Sequence, residues 1–239
     1  MSPAVATRRA RNDPAQYDDL AATWWDPRGP LSMLHWIAAA RAARIPDARR
    51  KGAVLADLGC GAGLLAPHLA GKGYRVVGVD LTESALRHAA AHGLAAVRGD
   101  VTALPVADGV ADVVSAGEIL EHVSDLDATL DEACRLLRPG GLLILDTIAA
   151  TWRARLVAVE IAERIPGGAP KGIHDPRLFV DRDALVARCA RHGVALELTG
   201  LRPAALQMLQ WLAGRRAAVE MVRSRSTAIL FQGVGMKAR

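Results

Sequence analysis

The apolar run Ala53-Val-Leu-Ala-Asp57 leads directly into Leu58-Gly59-Cys60-Gly61-Ala62-Gly63, and a helical pattern follows over 64–70. A strand that turns through three glycines into a helix constrains the fold more than anything else in the chain, because it opens a βαβ unit. The rest of the sequence continues in kind. Tyr74-Arg-Val-Val-Gly-Val-Asp80 and residues 94–98, 111–116 and 141–148 read as further strands, with helices over 82–91 and 126–137. Most of these strands are apolar throughout instead of alternating, as strands covered on both faces must be. Residues 194–201 and 226–234 bring the set to seven. The expected fold is α/β, a seven-stranded, mostly parallel, doubly wound sheet.

Ahead of that sheet, residues 1–12 are polar and basic and read as a disordered tail. Asp13-Pro14 offers an N-cap followed by proline at the first helical position, so a helix is predicted over 13–25. Pro27, Gly29 and Pro30 end it, and a second helix over 31–44 stops before Pro46. Residues 13–50 thus form a helical amino-terminal extension of a single domain over 13–239. Residues 149–192 read as a lid or substrate-side insertion, with helices over 152–165 and 181–192; a last helix spans 204–213.

Composition narrows the class. Hydrophobic residues are 51% and charged residues 23% of the chain, which excludes general disorder. Every apolar run is interrupted short of the roughly 18 residues a membrane span needs. The net charge of +5 invites nucleic acid as a partner, but 26 of the 30 basic residues are arginines spread along the whole chain. Cys60, Cys134 and Cys189 are far apart and form no CxxC pair, so a reducing, cytoplasmic setting is expected. The segment 152–165 mixes apolar residues with Arg153, Arg155 and Arg164 and could touch a membrane surface, although an ordinary lid helix is the simpler reading.

The glycine loop has the spacing Asp57-x-Gly59-x-Gly61-x-Gly63. A dinucleotide site wants its third glycine one residue later, where Leu64 stands. Two acids stand at the ends of the next strands, Asp80 and Asp100, where a carboxylate could accept from ribose or adenine groups; a turn-capping aspartate is the plain alternative for each. After the fourth strand comes Glu118-Ile-Leu-Glu121-His122. If helical, it would set Glu118, Glu121 and His122 on one face looking into the cleft. Carboxylates gathered there need a proton or a cation to compensate them. Downstream, Lys171-Gly-Ile-His174-Asp175 forms a polar island.

The D-x-G-x-G-x-G loop resembles that of class I S-adenosylmethionine-dependent methyltransferases, a Rossmann-like fold. The resemblance sharpens when Asn12-Asp13, Thr23-Trp24-Trp25-Asp26, Leu34-His35, Glu118-Ile-Leu-Glu121-His122-Val, Arg138-Pro139-Gly140-Gly141 and Lys171-Gly-Ile-His174-Asp175 are taken in order. Together they are similar to the 3-demethylubiquinol O-methyltransferases over about residues 12–235. The resemblance implies an S-adenosylmethionine site at Arg41, Asp57, Gly59, Gly61, Gly63, Asp80, Leu81, Asp100, Val101 and Gly117. It implies O-methylation of a phenolic or catechol-like hydroxyl, on a polyprenyl quinol precursor or a natural-product intermediate. Glu118, Glu121, His122 and His174 are also similar to the metal ligands of small-RNA 2′-O-methyltransferases, so a divalent cation, Mg²⁺ first, is expected on those four, with Glu121 and His122 as the catalytic pair. An RNA 2′-hydroxyl is the rival acceptor, and a metal-free site with His122 as general base is the rival mechanism. Two departures stand out: Ala38-Ala39 where the family has Asn-Pro, and Thr147-Ile-Ala-Ala150 where it has Thr-Ile-Asn-Arg. Trp24 and Trp25 read as packing, His35 as a structural histidine, and His68, His88, His92 and His192 as helix-end residues without a role.

Overall fold

The computed structural model describes residues 10–165 and 168–239. Nine residues of the expected tail lie outside the described residues. Its last positions, Arg11 and Asn12, are placed and hydrogen-bonded to distant parts of the chain. The parallel half of the sheet holds β1 (Ala53–Leu58), β2 (Tyr74–Asp80), β3 (Ala95–Arg98), β4 (Ala111–Gly117) and β5 (Leu137–Ile148). The other half, β6 (Val194–Pro203), β7 (Met221–Ser224) and β8 (Leu230–Lys237), is built from antiparallel pairs. The order is β3-β2-β1-β4-β5-β8-β6-β7. Eight strands form instead of seven, because Met221–Ser224 adds to the edge along the last residues of β6. The order reverses direction between β1 and β4, and in open α/β sheets the crevice at such a point is where ligands bind.

The helices are α1 (Ala15–Asp19), α2 (Ser32–Ala42), α3 (Glu83–Ala91), α4 (Leu126–Leu136), the single turn α5 (Trp152–Ala154), α6 (Arg182–Arg191) and α7 (Ala205–Leu212). Leu58, Val114, Leu143 and Leu145 on the strands pack with Leu130 and Cys134 of α4 and Leu185 and Cys189 of α6 in the main core cluster. Among the described residues no helix is long and apolar enough to cross a membrane.

Four local expectations fail, each for a reachable reason. The helix predicted over 13–25 stops at Asp19 and resumes as a 3-10 turn over Ala21–Thr23; Asp18 and Asp19 oppose the negative end of a helix, and its last turn has no basic residue. The helix predicted over 64–70 is a 3-10 turn, Ala66–Leu69, containing Pro67, whose missing N–H prevents a longer ladder. Pro139-Gly140-Gly141, whose residue types predict a helix stop and a tight turn, is a bulge within β5, where the pairing with β4 shifts register and Gly140 takes φ +75°. The helix expected over 152–165 widens after α5 into π-helical turns, Arg155–Ile161. The wider turns turn Ala154, Ala158 and Val159 together against Ile148 and Phe179, leaving Leu156 and Ile161 exposed.

Candidate active site

The loops that leave β1 and β4 meet α1 and α2 around a cavity of about 530 Å³. Arg41, Asp57, Gly59, Gly61 and Asp80 line it, as do Leu81, Asp100, Val101 and Gly117. Gly63 does not; it lies where an added Cβ would meet Leu94 and Ala89 at 3.2–3.3 Å, and so seats the loop against its neighbours. The loop is tied from across the sheet: the Gly61 N–H donates to Asp80 Oδ2 at 2.9 Å, and Asp80 Oδ1 accepts from the Thr82 N–H at 2.8 Å. Each carboxylate oxygen has a second lone pair for a ligand. Gly61, at φ +51°, has the Trp24 indole where a side chain would begin, 2.7 Å from an ideal Cβ. Trp24 therefore packs on the loop, and His35 Nε2 holds its carbonyl at 2.8 Å. Asp100 is exposed, and its Oδ1 accepts from the Thr102 N–H and hydroxyl, which lower its pKa.

Behind the loop lies a buried charge cluster. Arg41 Nη1 donates to Asp146 Oδ1 at 2.6 Å, and the guanidinium also faces Asp57 and Glu118. Gly117 makes room for it, since a Cβ there would stand 1.3 Å from Arg41 Nη1. Burial raises Asp57 to about 6, with Arg41 opposing the rise.

The stretch after β4 is not a helix. Gly117 ends the strand, Glu118 takes φ +53° with its N–H donating to the Asp146 carbonyl at 2.9 Å, and residues 120–122 form a turn before α4. A left-handed backbone at a non-glycine residue costs roughly 1–2 kcal/mol, and such strain persists where the surroundings dictate it. The turn still brings the expected residues near one another. Glu118 and His122 line the cavity, and Glu121 lies behind it with Oε2 accepting from the Thr147 hydroxyl at 2.7 Å. Burial, then the charges of Glu121 and Asp146, pushes Glu118 well above the usual carboxylate range. Burial raises Glu121 to about 7 against the Thr147 hydrogen bond. His174 reaches the same cavity with its ring 5.6 Å from that of His122, nearly parallel. Burial lowers His122 to about 3 and His174 to about 4, so both rings are neutral near pH 7.

Two residues to which the sequence assigned no role complete the site: Asn12, which enters the sequence reading only through the resemblance, and Tyr17. Asn12 Oδ1 is 2.6 Å from His122 Nδ1, and its amide nitrogen donates to the His122 carbonyl at 2.9 Å. The Tyr17 hydroxyl is 3.3 Å from His122 Nε2. Beside them, Arg11 donates to Glu163 Oε1 at 2.9 Å and to the His174 carbonyl at 2.7 Å, while the Asn12 N–H donates to the Gly172 carbonyl at 3.0 Å.

Comparison with known proteins gives this cavity its context. The family described as "Methyltransferase domain" matches residues 56–145. A ubiquinone biosynthesis O-methyltransferase of Methylobacterium sp. (strain 4-46) is 36% identical over 226 residues, covering 86% of this chain and 90% of that protein. The chain belongs to that O-methyltransferase family. The protein of the same name from Xylella fastidiosa (strain 9a5c) is 37% identical over 192 residues, 75% of this chain and 76% of its own length. The fold also matches a SAM-dependent methyltransferase of Thermotoga maritima (TM-score 0.63, 17% identity, 93% of this chain and 96% of that one) and another from Mesorhizobium loti (TM-score 0.58, 20% identity, 83% and 96%).

As a methyltransferase of this family the chain uses S-adenosylmethionine, and the residues fit it. The cofactor carries its methyl group on a positively charged sulfur, and among the described residues the cavity wall offers the aspartates Asp57, Asp80 and Asp100 beside the guanidinium of Arg41, which is itself paired with Asp146. The glycine loop supplies side-chain-free backbone beside those acids. As they are placed, the four residues expected to hold a divalent cation do not converge on one point, although Glu118 Oε1, Glu121 Oε1 and His174 Nδ1 are buried without a hydrogen-bond partner. Both ring nitrogens of His122 are taken, by Asn12 and Tyr17, and Glu121 commits one oxygen to Thr147. Among the described residues no three His, Cys, Asp or Glu side chains stand close enough to share an ion.

Glu121 sets a stability prediction. Its raised pKa means the folded protein holds this proton above the unfolded value of about 4.3, so the native state loses stability as pH rises toward about 7. Glu121→Gln removes that loss and keeps an oxygen for Thr147. Thermal unfolding midpoints of variant and parent are expected to agree near pH 4, and the variant to melt higher near pH 8, by about 2–4 °C per kcal/mol recovered.

Proposed function

We propose that the chain transfers a methyl group from S-adenosylmethionine to a phenolic hydroxyl on an apolar aromatic acceptor, the class to which prenylated quinol precursors of ubiquinone belong. The observation that carries this reading is that a neutral His122, hydrogen-bonded to Asn12 and Tyr17, shares one cavity with the cofactor loop and an apolar wall. A phenol ionises near pH 10, so at pH 7 about a thousandth is anionic, a deficit of roughly 4 kcal/mol that a positioned base reduces. The remaining wall suits a greasy ring: Leu31, Met33, Ile37, Ile148, Ile173 and Leu230 line it. Arg41 is the one lysine or arginine among the described lining residues, and it is already paired with Asp146, which favours a small aromatic acceptor over an RNA strand.

In this reading S-adenosylmethionine supplies an electrophilic methyl carbon. Asp80 and the loop hold the cofactor, Arg41 and Gly117 fix the floor beneath it, and His122 takes the acceptor's proton. The apolar wall aligns the ring and keeps water from competing for the methyl group.

The test is methyl-ether formation on a catechol bearing a short prenyl chain, followed by mass spectrometry beside a short RNA, with and without EDTA. Methylated catechol, unmethylated RNA and turnover that survives EDTA are expected. No methylation of any phenol would overturn the assignment, and turnover lost to EDTA and restored by Mg²⁺ would replace the base with a cation on Glu118 and Glu121.

A further inference from the structure

Gly59, the first glycine of the cofactor loop, takes φ +65°, and the place a side chain would occupy there is already filled. An ideal Cβ would stand 2.5 Å from Ile119 Cγ1, 2.7 Å from its Cβ and 2.8 Å from its Cδ1. Gly59 is thus bare toward Ile119, not only toward a ligand. Ile119 follows the end of β4, the strand that pairs with β1 through Ala116 and Leu58. It packs against the main core cluster and lines the cavity. Its backbone is held on both sides. Ahead of it the left-handed Glu118 donates its N–H to the Asp146 carbonyl at 2.9 Å, and behind it the His122 N–H donates to the Ile119 carbonyl at 2.9 Å. The loop is held from the opposite flank, where the Cys60 N–H donates to the Val79 carbonyl at 3.0 Å and the Gly61 N–H to Asp80. Ile119 is therefore wedged between the loop of β1 and the turn after β4, and its branch at Cβ makes it a stiff wedge. The backbone strain at Glu118 falls where it directs Ile119 onto Gly59.

We propose that Ile119 is a positioning residue for methyl transfer: seated in the space Gly59 leaves, it sets the separation between the loop that holds the cofactor and the turn that carries Glu121 and His122. The proposal rests on transfer to a phenolic oxygen. In that step the acceptor oxygen bonds to the methyl carbon as the carbon–sulfur bond breaks. The electron pair of the broken bond stays with the sulfur, which loses its charge, and an acceptor already anionic has no proton to give up. Such a displacement needs oxygen, carbon and sulfur in line, and a misplacement of about 1 Å costs about 10²-fold in rate. Ile119 acts through Gly59 on one reactant and through the turn on the other. Its contribution is alignment, which the rate registers and the affinity does not.

As acceptor, 4-nitrocatechol, which ionises near neutral pH by itself, reads alignment apart from proton removal. With it, Ile119→Ala is expected to lower kcat about 10–100-fold, while its KM and the calorimetric affinity for S-adenosylhomocysteine stay within about three-fold of the parent's. Ile119→Val keeps the branch at Cβ and loses only Cδ1, and it is expected to recover kcat to within about three-fold. Ile119→Leu guards against an alanine variant that fails to fold. It has the same number of carbons with the branch one atom farther out, so a melting temperature close to the parent's is expected with kcat down about ten-fold. An unchanged kcat with alanine or leucine, a valine variant no better than the alanine one, or affinity for S-adenosylhomocysteine falling in step with kcat would overturn the proposal. A parent enzyme that methylates no phenol sinks the underlying reading; a parent that turns over beside an indifferent Ile119→Leu sinks the positioning role alone.

Discussion

His122→Asn is expected to lower kcat on a neutral phenol by about 10–10²-fold, while calorimetry with S-adenosylhomocysteine finds its affinity little changed. The loss is less than a base matched to the working pH contributes, because burial holds this ring well below it. The two readouts separate because His122 lies on the β4–α4 turn, whereas the loop and Asp80, which hold the cofactor, lie at the ends of β1 and β2. The form of the pH profile follows from burial. A histidine lowered to about 3 is neutral over the whole working range, so protonation of His122 does not limit turnover until the pH nears that value. An acid limb centred near 6.5 that disappears in His122→Asn would show a ring in contact with water and would undo this assignment.

Arg41→Ala should have the largest effect on stability. Arg41 is buried and paired with Asp146, whose side chain is fully buried, and it also faces Asp57 and Glu118. Removing one partner of a buried pair strands the other, at a cost of about 3–5 kcal/mol. Native domains have about 5–15 kcal/mol in all, so the variant is expected to stand close to unfolding. The sign with pH can be stated. Without the guanidinium the carboxyl groups of Asp57 and Asp146 favour their protonated forms still more, so the deficit is smaller in acid and grows as the pH rises past about 6, where Asp57 ionises even with Arg41 present. Urea unfolding near pH 5 and pH 8 measures it, and an equal loss at both would mean Arg41 acts by packing alone. Gly117→Ala should approach the same result from the other side, because its methyl group would occupy the place of Arg41 Nη1.

The parts of the molecule legible in the sequence are those whose signals are local. β2 runs over Tyr74–Asp80 as its apolar run predicts, and β1 extends the predicted strand by a single residue. The glycine loop and Asp80 could be placed together because a strand end and a loop on neighbouring strands must meet. What escaped depends on partners far along the chain. Asn12 and Tyr17 gain their place from His122, 110 and 105 residues away, and neither carries a spacing that announces it. The Glu118–His122 stretch misled because i, i+3 and i+4 describe a tight turn as readily as a helix. Its backbone is decided by the Asp146 carbonyl, on a strand not yet formed when that spacing is read. β7 is four residues on a half-exposed edge, too short for alternation to distinguish from a loop.

The bonds of Arg11 and Asn12 have a consequence for the cavity. The same few residues that clasp Glu163, Gly172 and the carbonyl of His174 also align the imidazole of His122. Any displacement of these two residues would therefore loosen the seating of the imidazole together with that of Glu163, Gly172 and His174.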